Sequence, residues 1–186
     1  MKKKCRSCKG EYFQYTTLQN KCPKCLAEHA KKTREKKERV EHRKAKESLK
    51  TYSDHVSDAE KAVRRFVRAR DYGKPCISCR TTNPDVQYAA GHMKTKGAYP
   101  ELRLMPLVNI FGQCNHRCNK QLSGNINGTK DTIGYRQGLI NRFGEWGQEL
   151  LDYLDGPHPL RKYTVDELGE IKQGFNEWAR ELEKYN

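Results

Sequence analysis

The sequence predicts a small α+β protein stabilised by zinc rather than by one large hydrophobic core. Three observations carry this. Only 35% of the 186 residues are hydrophobic and 32% are charged, and mean hydropathy is −1.03, too polar for a single well-filled core of that length. Eight cysteines fall into two groups with spacings that suit metal knuckles. Around them, short strand-like and helical stretches are separated by Gly- and Pro-marked loops. The expected segments are a zinc ribbon over 1–28, a basic helical linker over 29–52, a compact core over 53–130 and a helical C-terminal region over 131–186.

Net charge is +14, which points to a polyanionic partner. The charge is uneven: residues 145–186 carry ten acidic and five basic side chains, so residues 1–144 hold +19. No basic stretch has the apolar face of an interfacial helix, and no apolar run approaches a bilayer span. The basic start Met1-Lys-Lys-Lys-Cys5 is not followed by the apolar stretch of a signal peptide. The expectation is therefore a soluble cytoplasmic protein that binds nucleic acid and no membrane. In that compartment the eight cysteines are expected as thiols or thiolates rather than disulfides.

The first knuckles are Cys5-x-x-Cys8 and Cys22-x-x-Cys25, 13 residues apart. Each turn aims two sulfurs at one ion, and the returning loop completes a tetrahedron, giving a zinc ribbon with Tyr12, Phe13 and Tyr15 expected beside the metal. So short a segment depends on the ion for much of its folding energy. The next stretch, Ala27 to Lys50, is almost continuous charge without Gly or Pro. It reads either as a solvated charged spacer or as a helix lying along phosphates through Lys36, Lys37, Arg39 and Arg43.

Ser57-Asp-Ala-Glu60 has the form of a capping box. With Val56, Ala59, Val63, Phe66 and Val67 at helical spacing, it predicts an amphipathic helix to about Asp71, whose polar side offers Arg64, Arg65 and Arg68 to phosphates. The second cysteine group is Cys76-Ile-Ser-Cys79 with Cys114-Asn-His-Arg-Cys118, where His116 is an alternative ligand. Between the pairs, Val86–Ala90 reads as a short strand leading to Gly91-His92, and Leu102–Ile110 as a second extended stretch. Beyond Cys118 a helical pattern runs through Ile133, Leu139, Ile140 and Phe143, interrupted by Gly134 and Gly138. Thr164-Val-Asp-Glu167 is another capping box. It opens a helix whose apolar face (Val165, Leu168, Ile171, Phe175, Trp178, Leu182) is expected to pack on the core or on a second subunit.

His92 lies between the cysteine pairs, after a strand, with Asn109 ahead of Cys114 and Asn119 directly after Cys118. Over roughly Pro75 to Gly128 this order resembles the HNH, or ββα-metal, nucleases. A wider resemblance rests on Phe66-x-Arg68-x-Arg70-Asp71, Pro75-Cys-Ile-Ser-Cys79, Ala90-Gly-His92, Asn109-Ile110, Gln113-Cys114, Cys118-Asn119 and Ser123-Gly-Asn125. Through these the chain resembles the NinG (Rap) family of phage recombination proteins. The resemblance implies a structure-specific endonuclease that hydrolyses phosphodiester bonds in Holliday junctions and displacement loops, in the host bacterial cytoplasm. Its implied partners are branched or single-strand-containing DNA and recombination proteins.

In that reading His92 is the general base and Asn109 orients its imidazole. One Mg²⁺ or Mn²⁺, held partly by Asn119, would neutralise the scissile phosphate and the leaving oxygen. Zinc in the two cysteine sites would be structural. The position before His92, acidic or histidine in many HNH sites, is Gly91 here. The missing ligand is then Asn125, Asp131, His116 or Asp85, or else His92 itself binds the ion and the base lies elsewhere. A junction with two symmetric cuts suggests a homodimer. Two other readings fit the same sequence: a non-catalytic zinc-dependent nucleic-acid-binding protein, and an adaptor working through its C-terminal apolar face.

Overall fold

The structure is a computed structural model and describes residues 2–186. The chain forms two compact units, Met1–Lys50 and Thr51–Asn186.

In the first unit, β1 (Lys2–Lys4) pairs antiparallel with β2 (Glu11–Phe13), setting Lys2 opposite Phe13 and Lys4 opposite Glu11. Helix α1 (Pro23–Ser48) starts on Pro23, whose fixed φ and missing N–H suit a first helical turn. Cys25 in that turn is its only buried residue, and Lys36, Lys37, Arg39 and Arg43 all face solvent. Tyr12 packs with Cys5 and Cys25 and donates from its hydroxyl to the Gln19 carbonyl at 2.8 Å. Phe13 and Tyr15, expected beside the metal, are instead 60% and 81% exposed. For Phe13 the reason is the strand pleat, which sends the residue after an inward Tyr12 to the other face.

The second unit opens with α2 (Tyr52–Arg70). Its capping box is Thr51 with Asp54, not Ser57 with Glu60: the Asp54 N–H donates to Thr51 Oγ1 and the Thr51 N–H to Asp54 Oδ2. An Asp at the third helical position closes the box as a Glu would, so the helix begins well before the predicted start. Further along the chain, α3 (Gly134–Phe143), α4 (Glu145–Asp155) and α5 (Val165–Leu182) follow, with α5 capped by Thr164 and Glu167 as the sequence predicts. Most of the apolar face of α5 packs on α2: Leu168 and Ala179 are buried, Ile171, Phe175 and Leu182 are partly buried, and Phe175 lies 5.1 Å from Phe66, whereas Val165 and Trp178 stay exposed.

Strands β3 (Tyr88–His92) and β4 (Ile110–Cys114) form an antiparallel pair in which Tyr88 faces Cys114 and His92 faces Ile110. Leu102–Ile110 is not the predicted extended stretch. A 3-10 turn at Pro100–Leu102 and a run of further turns lead into β4. Its hydrophobicity reflects core filling by Leu102 and Leu104 rather than strand pairing. The two-stranded sheet is covered on both faces. Ala90 and Ile110 join the α2–α5 core, whereas Met93 and Phe111 join a second core with Tyr135, Leu139, Leu150, Leu151 and Leu154 from α3 and α4.

Two contacts lock the layers. The Arg70 guanidinium grips the Asp71 carboxylate at 2.9 and 2.7 Å and also reaches the carbonyls of Pro106 and Ile110, while Asp71 accepts the Gly112 N–H at 2.6 Å. Burial would raise the Asp71 pKa, but Arg70 and the Gly112 N–H outweigh it and hold the carboxyl below its usual range. Gly138 lets α3 lie against the backbone of Ile77, whose carbonyl oxygen is 1.7 Å from where a Cβ would stand. That explains a glycine inside a helix. Gly138→Ala should therefore cost about 1–3 kcal/mol through forced displacement of α3, read as a lower denaturation midpoint at unchanged m-value.

Candidate active site and metal centres

The sulfurs of Cys5, Cys8, Cys22 and Cys25 converge, all within 4.8 Å of one another, and so do those of Cys76, Cys79, Cys114 and Cys118. In the first group the backbone N–H of Cys22 donates to Cys5 Sγ at 3.2 Å. This bond and one from the Cys8 backbone lower Cys5 to about 6, whereas Cys25 is pushed up to about 12, chiefly by the neighbouring sulfurs of Cys22 and Cys8. In the second group the Cys114 N–H donates to Cys76 Sγ at 3.3 Å. Burial opposes ionisation at Cys76, but the N–H groups of Cys114, Cys79 and Ser78 outweigh it and leave its pKa lowered. Burial pushes Cys79 up to about 11 and raises Cys118 further. Four sulfurs this close resist joint ionisation without a cation, and a soft tetrahedral ion removes the conflict. Each group could hold a zinc ion.

The second cysteine frame borders the cavity around His92. β4 ends at Cys114, and the chain then winds through a wide π-type turn, Asn115–Gln121, that contains Cys118 and Asn119. A cavity of about 380 Å³ is lined by His92, Asn115 and Asn119, and by Glu60, Arg64 and Arg68 from α2, with Lys96 and Arg103 from the loop between the strands. Four cations and one carboxylate thus surround one histidine. His92 is half-buried, and its Nε2 lies 3.2 Å from the Arg103 carbonyl oxygen. A carbonyl only accepts, so the hydrogen sits on Nε2 and the basic lone pair on Nδ1. Burial is the largest influence on His92 and lowers its pKa, which keeps the ring neutral at physiological pH.

The other expected site residues divide. Asn119 does line the cavity. Its Nδ2 donates to Asn115 Oδ1, and Asn115 Nδ2 donates to Gln87 Oε1, so the relay leaves the Asn119 carbonyl oxygen as the acceptor for a ligand. Asn109 is buried and does not orient the imidazole directly. Its amide accepts from the Lys94 N–H and donates to the carbonyls of Lys94 and Leu102, clamping the loop that delivers the Arg103 carbonyl to His92. Asn125 is not among the cavity residues: it donates to Cys118 Sγ at 3.4 Å and accepts from Thr132, which makes it a neighbour of the second cysteine group. Asp85, His116 and Asp131 are exposed and also absent from the cavity lining. Arg64 and Arg68 reach the cavity, but Arg65 turns to Glu183 and Asn176 of α5.

Gly91 has a steric cause. A Cβ there would lie 2.3 Å from the buried Gln113 Oε1, so any side chain before His92 would have to displace that amide. The carboxylate in the cavity is Glu60, whose place in the sequence suggests a capping residue instead. It is held by Lys96 Nζ at 3.0 Å and Arg103 Nε at 3.3 Å. A sequence signal existed: Glu60, Arg64 and Arg68 follow at four-residue intervals and share one face of α2.

Fold and site together define a small α+β protein with two four-cysteine groups that could hold zinc and a basic, histidine-bearing cavity beside one of them. The family model described as Bacteriophage Lambda NinG protein matches residues 1–185, and the chain belongs to that family. Its relatives include proteins named "Protein ninG" from Escherichia phage 933W, Escherichia phage lambda and Salmonella phage P22, which are 38%, 36% and 35% identical over 135 residues. That alignment covers 73% of this chain and only 60–61% of each relative, so the chain spans about three fifths of their length. No solved structure matches it. Among the described residues, no helix is long and apolar enough to cross a membrane.

Proposed function

We propose that the chain is a metal-dependent endonuclease that cuts branched DNA formed during recombination, with His92 as general base. The observation that carries this reading is the setting of His92: its Nε2 lies against the Arg103 carbonyl oxygen, inside a cavity walled by Arg64, Arg68, Lys96 and Arg103, and burial lowers its pKa. A phosphodiester is the ligand that four cations around one base suit best. The order β3, β4, helical turn is also the one the HNH resemblance implies.

His92 Nδ1 would take the proton from an attacking water, while the Arg103 carbonyl fixes the ring and accepts the Nε2–H throughout. The cavity's basic side chains would hold the phosphate oxygens. A bound Mg²⁺ or Mn²⁺ would supply charge neutralisation at the phosphate and the leaving 3′ oxygen. The cavity offers such an ion a carboxylate at Glu60, which it would have to draw from Lys96 and Arg103, and an amide oxygen at Asn119, both hard oxygen donors, and no sulfur. In this assignment Glu60 takes the place of the ligand that Gly91 lacks.

Zinc-loaded protein should cleave a synthetic four-way junction in Mg²⁺ or Mn²⁺ and leave a linear duplex intact. Glu60→Gln should weaken Mn²⁺ binding about tenfold or more, measured by the paramagnetic resonance of the free ion, with zinc content unchanged. Equal cutting of junction and duplex would remove the selectivity. Tight, salt-dependent binding without cleavage in any divalent ion would favour a non-catalytic nucleic-acid-binding protein instead.

A further inference from the structure

The first unit carries an exposed aromatic surface that its own folding does not use. Tyr12 alone of the ribbon's aromatics is buried against the cysteines. Phe13, Tyr15 and Leu18 are 60%, 81% and 91% exposed. They stand on a built platform. Gln14 Nε2 donates to the carbonyls of Thr17 and Gln19, and the Tyr15 N–H donates to Gln19 Oε1. The loop that displays Tyr15 and Leu18 is thus closed by its own glutamines. Across the hairpin Lys2 faces Phe13, with its ammonium 5.8 Å from the ring centroid. Residues 1–25 hold seven basic side chains (Lys2, Lys3, Lys4, Arg6, Lys9, Lys21, Lys24) and one acidic, Glu11.

We propose that this face of the ribbon binds single-stranded DNA, with Phe13 and Tyr15 stacking on unpaired bases and the surrounding lysines meeting phosphates. Exposed rings interleaved with cations match a strand that presents both π-faces and negative charge. Duplex DNA offers the charge, but its bases are already stacked on one another. The face therefore distinguishes unpaired nucleotides from duplex, and it gives the proposed nuclease a means of recognising the unpaired segments of a branched substrate. The inference rests on that reading for its biological setting, but not on cleavage.

The test is fluorescence anisotropy of a labelled thymidine oligomer and a length-matched duplex, with zinc-loaded full chain and no Mg²⁺ or Mn²⁺. Phe13→Ala with Tyr15→Ala should weaken oligomer binding about tenfold to a hundredfold, with duplex affinity and bound zinc unchanged. Phe13→Trp should keep the affinity and show quenching by the oligomer beyond that of Trp146 and Trp178. No loss in the double variant, an equal loss on duplex, or a preference for oligo-uridine over oligo-thymidine would each overturn the proposal. Cutting is not read in this assay, so failure of the nuclease reading and failure of this one remain separate results.

Discussion

Replacing His92 by alanine is expected to lower junction cleavage about 10²–10⁴-fold, the usual contribution of a positioned general base. Affinity for DNA should stay close to the parent value, because the cavity keeps Arg64, Arg68, Lys96 and Arg103. The fold should survive as well. The variant loses one hydrogen bond, from Nε2 to the Arg103 carbonyl, worth about 1 kcal/mol. The pH profile of cleavage by the parent protein would carry the same assignment. Burial depresses the His92 pKa below the ordinary imidazole value of 6.5, so the midpoint of the rate's fall towards acid should lie below pH 6.5. Stability follows the same sign. The unfolded chain takes up the proton first, so the His92 contribution is complete above 6.5 and is lost as pH falls towards the depressed value. Single-turnover cleavage between pH 5 and 8 would check the rate, and denaturation midpoints over the same range the stability; near-parental rates in the alanine variant would remove His92 from the chemistry.

What the sequence disclosed about this site depended on how local each signal was. Cysteines with only two or three residues between them are visible as a pattern, and both four-cysteine groups assemble as their spacing predicts. The Thr164–Glu167 box and the apolar stripe of α5 are equally local, and the stripe packs where one of its two expected partners lies, on the core. Apolar runs without clear periodicity misled. Leu102 and Leu104 are hydrophobic because they fill the core from a looped segment, not because they lie in a strand. The residues that define the cavity come from separated stretches: Glu60 and Arg64 on α2, Lys96 and Arg103 from a loop clamped by Asn109. On the helix, Glu60 looks like any solvated charge until packing brings it beside His92. Gly91 was visible as a departure, but its cause, the buried Gln113 behind it, is a tertiary contact. Asn125 followed the same rule in reverse, matching a motif position while its side chain serves Cys118.

Loss of the second metal site should do more damage than loss of the first. Cys76, Cys114 and Cys118 are buried, and between them they anchor the turn before β3, the end of β4 and the π-type turn that carries Asn119. Structural zinc contributes about 10–16 kcal/mol of apparent binding energy in small zinc-dependent peptides, comparable with the whole stability of a domain, about 5–15 kcal/mol. Cys118→Ser removes a ligand and leaves Asn125 Nδ2 without its sulfur acceptor, so the Thr51–Asn186 unit should lose cooperative thermal unfolding and all cleavage. Cys5→Ser should act differently. It removes the frame of a ribbon that has its own small core, so the variant should bind one zinc fewer and lose ribbon structure. The melting transition of the Thr51–Asn186 unit should persist, and so should the chemistry in the His92 cavity. Zinc titration against a chelator, followed by metal content and circular dichroism, separates these outcomes. An unchanged melting transition in Cys118→Ser would show that the sulfurs of the second group pack without metal. The histidine, the amide relay to Asn119 and the basic wall would then owe their geometry to the two hydrophobic cores alone.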